Sequence, residues 1–203
     1  MIITDIKPQV KNNKRFSIFI DGEFKFGLTD VDVLFYRLKI GDEISDKKYK
    51  MILEEVVYNN AVSKASNYLS YKMRTEKEVR EKLKDEFSQE VIDKVITMLC
   101  KYNYINDLDY AISYAKDASN LKRWGEDRIK MELRLKGIAD INIIEALEAI
   151  SDKENTEQTI EALLERRIKA TPIDLKEKKK HFEFLKRRGF KSDDILNVLK
   201  KYC

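Results

Sequence analysis

The 203-residue chain is long enough for one or two cored domains, and its 43% hydrophobic content excludes global disorder. With 40 basic against 36 acidic residues the net charge is only +4, so any affinity for a polyanion must come from where the charges lie. Two cysteines exclude a disulfide scaffold, no apolar run approaches the ~20 residues of a membrane span, and two prolines and six glycines favour long helices over a many-turned β fold.

In chain order, the start lacks the basic region and apolar run of a secretory signal, so a soluble cytoplasmic protein is expected. Ile2–Ile6 is a candidate strand. Arg15–Ile20 and Glu23–Gly27 are aromatic and β-branched runs around Asp21-Gly22, a pair that signals a tight hairpin. Leu28–Leu38 reads as a short helix and Gly41-Asp42 as a turn. From Asp46, the residues Met51, Ile52, Val56, Ala61, Ala65, Tyr68 and Leu69 recur at helical intervals and predict one long amphipathic helix to about Tyr71. Thr75-Glu-Lys-Glu78 is a capping box, and Ser88 is expected to cap the next helix, which ends near Tyr102-Asn103.

A second helical set opens at Asn106-Asp107 with Tyr110, Ala111, Tyr114, Ala115 and Ala118 as its buried stripe. Gly125 interrupts it, a basic helix runs to Gly137, and Asp140 is expected to cap the helix holding Ile143 and Leu147. A third set begins near Glu154, breaks at Thr171-Pro172, and restarts with Asp174-Leu-Lys-Glu177, a second capping box. Gly189 ends that helix, and Ser192 to Asp194 open the last one to Tyr202.

These sets are copies of one unit. Leu133, Gly137, Ile143 and Leu147 recur at one constant shift as Leu185, Gly189, Ile195 and Leu199. Val79, Leu83, Phe87, Ile92 and Ile96 form a weaker copy in which Asp85-Glu86 runs straight into Phe87 and the glycine is missing. A repeat of about fifty residues cannot bury its own core and gains one by stacking, which creates extended binding surfaces. The expected fold is mainly α: three tandem three-helix repeats in an elongated curved array, after a small β-hairpin-containing segment. The expected divisions are a β-rich extension over 1–45, the long helix plus first repeat over 46–105, and the second and third repeats over 106–152 and 153–203.

Catalytic and metal chemistry finds no support. His181, the single histidine, sits in a lysine run with no triad or ligand spacing and reads as a surface or partly buried helical residue. Cys100 and Cys203 form no CxxC motif, and Cys100 reads as a small apolar core group. No glycine-rich phosphate loop is present. A non-enzyme without cofactor or metal is expected. Charge is instead distributed in blocks: residues 116–137 carry seven basic against four acidic groups, 138–162 one against seven, and 163–191 eleven against four. Basic blocks can supply phosphate contacts, while the acidic block can repel nucleic acid or meet a basic partner.

The segment Arg74-Thr-Glu-Lys-Glu-Val-Arg80, then Tyr102-Asn-Tyr-Ile-Asn-Asp107 with Tyr110-Ala111, then Gly125-Glu-Asp-Arg128-Ile129 through Glu132-Leu133 to Lys136-Gly137-Ile138, together resemble the RecX regulatory proteins of bacteria. The ending Leu185-Lys-Arg-Arg-Gly-Phe190 with Asp194-Ile195 fits that family's last repeat. The resemblance covers residues 61–203 by motif and 1–60 more loosely. It implies three tandem three-helix repeats and a modulator of the RecA recombinase that lies in the groove of the RecA–DNA filament, restrains ATP hydrolysis and strand exchange, and contacts single- or double-stranded DNA. A monomer that does not bind membranes is expected.

Candidate contacts to RecA or DNA are Arg74 and Arg80 in the first repeat; Lys122, Arg123, Arg128 and Arg134 in the second; and Lys186, Arg187 and Arg188 in the third. An arginine fork suits carboxylate and phosphate alike. Each has a structural alternative, such as a Glu76–Arg80 pair one helical turn apart. Trp124 and Tyr104 are candidates for stacking on bases, with packing at a repeat junction the competing role. From the residues alone, a helical nucleic-acid-binding protein without a recombinase partner and an adaptor for another helical protein both stay open.

Overall fold

The computed structural model describes residues 1–10, 12–168 and 171–202, so the terminal Cys203 lies outside the described residues. The chain divides into two compact units, Met1–Asn106 and Asp107–Cys203.

The first unit opens with an antiparallel sheet of β1 (Ile3–Gln9), β2 (Asn12–Ile20) and β3 (Glu23–Thr29), in the order β1-β2-β3. Asp21 and Gly22 have φ of 51° and 85°, the left-handed pair that a two-residue hairpin requires. Period-two alternation turns Ile18, Ile20, Phe26 and Leu28 inward, where all four are fully buried. Helix α1 (Asp30–Phe35) follows, capped by Thr29.

The expected long helix is present but not uniform. It runs as α2 (Asp46–Ile52), a π-helical stretch over Leu53–Tyr58, and α3 (Asn59–Leu69). Ile52 is buried, and so are Leu53, Val57, Ala61 and Ala65, which are spaced by four. Four-residue spacing drifts about 40° per step around an ordinary α-helix, and a wider turn takes up part of that drift. Two further helices, α4 (Glu76–Leu83) and α5 (Gln89–Lys101), complete the unit and share one core with the sheet.

Thr75 starts α4 with a full capping box: its hydroxyl accepts from the Glu78 amide, and the Glu78 carboxylate accepts from the Thr75 amide, both at 3.1 Å. Because Thr75 is fully buried, Thr75→Ala is expected to lower the unfolding free energy by about 1–2 kcal/mol in urea titration, with Thr75→Ser retaining most of it. Ser88 does stand at the N-cap of α5, yet its side chain makes no capping bond. The glycine-free end of α4 closes in right-handed conformation, with the Glu86 and Phe87 amides both donating to the Leu83 carbonyl. Cys100 is exposed, which corrects the core assignment: α5 meets the core through Val95, Ile96 and Leu99, and Cys100 falls just outside that stripe.

The second unit holds α6 (Asp107–Asn120), α7 (Glu126–Leu135) and α8 (Asp140–Glu148), then α9 (Lys153–Glu165), α10 (Leu175–Arg187) and α11 (Ser192–Leu199), ending in a 3₁₀ turn over Lys200–Tyr202. Each triplet has its own apolar cluster, around Ile129, Leu133 and Ile143 in one and Leu185, Ile195 and Leu199 in the other. The repeated glycines do one job. Gly137 and Gly189 have φ of 85° and 88°, and the residue after each, Ile138 or Phe190, is buried and donates its amide back to Leu133 or Leu185. That is the left-handed helix stop with its hydrophobic contact.

Two capping expectations need correction. Ala139 occupies the N-cap of α8, because the Asp140 carboxylate is held by Arg134 at 2.8 and 3.2 Å. Asp174 accepts from the Glu177 amide at 2.7 Å, without the reciprocal bond of a box. Ser192 opens α11 as expected, with Lys191 at its N-cap. His181 is buried, with its Nδ1 lacking a partner, and burial together with nearby Arg167 disfavours its charged form.

Candidate functional site

The sequence candidates separate sharply once placed. In the first unit, Arg80 is consumed internally: its Nε meets Glu76 at 2.6 Å and its Nη1 meets Asp93 at 2.5 Å. Arg74 lies flat on the Tyr68 ring, 3.9 Å from the centroid. In the second unit, Arg134 is committed to Asp140, while Lys122, Arg123, Arg128 and Arg188 converge, and Arg187 is exposed and contributes its backbone carbonyl.

Convergence follows from backbone chemistry. The first amides of a helix and the last carbonyls of a helix have no partners within it. Here one set serves the other: the Gly125 amide donates to the Arg188 carbonyl at 2.8 Å, and the Asp127 amide donates to the Gly189 carbonyl at 3.0 Å. The positive end of α7 thus meets the negative end of α10. Only glycines permit the approach, because a Cβ on Gly125 would overlap the Gly189 carbonyl and one on Gly189 would overlap Arg128.

The docking sets basic side chains from two repeats side by side. Arg188 Nη1 donates to the Lys122 carbonyl at 3.1 Å, and Arg128 Nη1 points at the Arg187 carbonyl 3.5 Å away. Trp124 lies between cations, with Arg128 4.1 Å and Lys122 4.4 Å from its ring. Lys122 also covers Tyr114, which stacks on Tyr110, and Lys136 covers both tyrosines. Across the junction, Arg167 and Arg188 sit on Phe184. The nearest carboxylates are taken: Glu126 pairs with Lys191 at 2.6 Å and Asp127 with Lys186 at 3.4 Å. Among the described residues none pairs with Arg123, Arg128, Arg167, Arg187 or Arg188. Burial and the fields of Arg128, Arg167 and Arg123 push the Arg188 guanidinium below its usual range.

Arg123 carries backbone strain as well. Its φ is 54°, left-handed for a bulky side chain and costing about 1–2 kcal/mol. Sequence reasoning did not reach Lys136, Arg167 or Phe184 as members of this face. Arg167 lay in the most basic block, and Lys136 within a recognised motif, but only the docked loops reveal that they meet. Tyr104, the other stacking candidate, is exposed in the first unit, and Trp124 packs on the core of the second repeat while facing its cations.

No described helix is long and apolar enough to cross a membrane, and no described cluster of three His, Cys, Asp or Glu residues could hold a metal. Successive three-helix units bearing an uncompensated cationic and aromatic face define a helical-repeat protein whose surface is suited to binding an extended anionic partner.

Comparison with known proteins makes the assignment specific. The regulatory protein RecX N-terminal domain matches residues 1–45, and the first, second and third RecX three-helix domains match 61–99, 106–147 and 155–199. The regulatory protein RecX of Clostridioides difficile is 35% identical over 202 residues, covering 98% of this chain and 95% of that one. That of Bacillus subtilis is 37% identical over 200 residues, covering 95% and 74%. A crystal structure of regulatory protein RecX superposes with a TM-score of 0.68 at 29% identity over 98% of both chains. RecX from Lactobacillus salivarius does so with 0.65 at 29%, covering 71% of this chain and 96% of that one. The chain belongs to the RecX family of regulatory proteins.

Proposed function

We propose that this protein is a cytoplasmic, monomeric, non-catalytic regulator that binds the RecA–DNA filament and restrains ATP hydrolysis, filament growth and strand exchange. Its membership of a regulatory family along nearly its whole length carries this conclusion. A filament repeats one subunit surface along its axis, so successive helical units engage neighbouring subunits and gain avidity from individually weak contacts. Regulation then requires those contacts to be stronger in one filament state than in another. The arginine-rich face of the second and third repeats is the contact region, with the divisions at 46–105, 106–152 and 153–203 as the working modules.

The test is RecA ATPase activity on single-stranded DNA, with this protein titrated at fixed, moderate salt. Hydrolysis should fall, and unchanged hydrolysis together with unchanged filament mass would refute the regulator. Arg128→Ala/Arg187→Ala should need about tenfold more protein for the same inhibition, each lost charged contact being worth roughly 1.5–3 kcal/mol before compensation. Full inhibition by that variant, with helicity intact, would move the contact region elsewhere while sparing the function.

The cationic–aromatic face also favours a second reading, a helical nucleic-acid-binding protein that needs no recombinase. It differs in salt response: binding to DNA alone would weaken steeply with salt, by about 0.9 logarithmic units per neutralised phosphate for each decade. Tight, steeply salt-dependent DNA binding without any effect on RecA would select it.

A further inference from the structure

We propose that Arg123, Arg128 and Arg188 form a phosphate-binding site bridging the second and third repeats, and that its occupancy locks the two docked loops together. The proposal rests on reading this face as a binding surface, and its test omits RecA so that the two can fail separately.

Three observations converge. Arg123 Nη1 and Arg128 Nε are buried without any hydrogen-bond partner. A buried donor on a charged group is costly to leave unmatched, so two of them within electrostatic reach of Arg188 suit an anionic acceptor. The surrounding charge is unbalanced, because the acidic first turn of α7 is neutralised by Lys186 and Lys191 and leaves the guanidiniums unanswered. Arg123 is also held in left-handed backbone conformation although glycine would relax that position, the kind of strain that persists at ligand clamps.

The geometry selects the ligand class. One carboxylate offers two oxygens and a single charge, enough for one guanidinium fork. Three convergent guanidiniums match a tetrahedral phosphate, which presents more oxygens and, as a monoester or pyrophosphate, more charge. Arg128 belongs to the start of α7, Arg188 to the end of α10, and Arg123 to the loop before α7. A phosphate between them replaces repulsion across the junction by attraction from both sides. Binding is therefore linked to junction stability, since a ligand that binds only the docked form stabilises it by mass action. The phosphate can belong to a nucleic-acid backbone or to a small free ligand, and the chemistry is shared.

Thermal unfolding of the full chain, followed through Trp124, tests the proposal. Inorganic pyrophosphate should raise the midpoint by several degrees, about the shift expected at 100-fold excess over its dissociation constant, when ionic strength is matched with chloride. Arg123→Gly should keep or raise the ligand-free midpoint, because glycine relieves the left-handed backbone, yet lose at least tenfold in pyrophosphate affinity. Arg188→Lys, which keeps the charge but loses the fork, should fall between. Lys176→Gln/Lys179→Gln, exposed charges at the start of α10, should respond like the parent chain.

A short oligothymidylate that displaces pyrophosphate assigns the site to backbone phosphates, and failure to displace assigns it to free phosphates. No stabilisation beyond that by chloride, or an Arg123→Gly variant that binds as tightly as the parent, overturns the proposal. Equal stabilisation by polyglutamate overturns the phosphate assignment in favour of an acidic protein segment.

Discussion

Gly125→Ala should destabilise the second unit by about 3–5 kcal/mol, and Gly189→Ala by at least as much. A methyl group on Gly125 meets the Gly189 carbonyl, backbone against backbone, so no rotamer change relieves it. The loops must separate, breaking the bonds from the Gly125 and Asp127 amides and leaving four polar groups to find other partners. Gly189 adds the cost of a side chain at φ 88°, about 1–2 kcal/mol. Gly22 and Gly41 provide the control: both have positive φ but open space around them, so alanine should cost only about 1–2 kcal/mol. Guanidinium denaturation followed by Trp124 fluorescence reads the second unit directly, since it is the chain's only tryptophan. A Gly125→Ala midpoint close to that of the parent would mean that the loops do not dock.

In the first unit the largest effect is expected at Phe26. Its side chain is fully buried, its ring lies 5.8 Å from that of Tyr49, and its backbone bridges to Phe87 beyond α4. It therefore joins the sheet to the helices. Phe26→Ala should cost about 3–5 kcal/mol, and Phe26→Leu less than half of that. Hydrogen exchange at the β2 and β3 amides should accelerate with the global transition. Acceleration confined to the Asp21-Gly22 turn would show that the sheet does not depend on this contact.

Local chemistry was legible in the residues wherever one conformation had a single cheap solution. Asp21-Gly22 announced its turn and Gly137 its helix stop because few residue types tolerate left-handed backbone. Thr75 with Glu78 announced a box because both partners lie within one turn. Asp140 misled for a reason residing outside its own helix: a capping carboxylate and an arginine partner compete for the same oxygens, and Arg134 prevails. The site was less legible still. Arg80, Arg128 and Arg134 look alike in sequence, each within a basic helical segment. Two find carboxylates and one finds an indole, and that difference depends on Asp93, Asp140 and Trp124 being brought alongside by packing. No pattern in the chain foretold that a glycine starting α7 would face a glycine ending α10.

The π-helical stretch at Leu53–Tyr58 falls between the residues matching the N-terminal domain, which end at 45, and those matching the first three-helix domain, which begin at 61. It behaves like a coupling inserted between two shafts. Deleting one residue there would convert the wide turn into an ordinary one, regularising the hydrogen bonds while leaving the angle swept between α2 and α3 almost unchanged. Ala61 and Ala65 would stay on their bed, so the wide turn absorbs a surplus residue without passing the change on to the modules it joins.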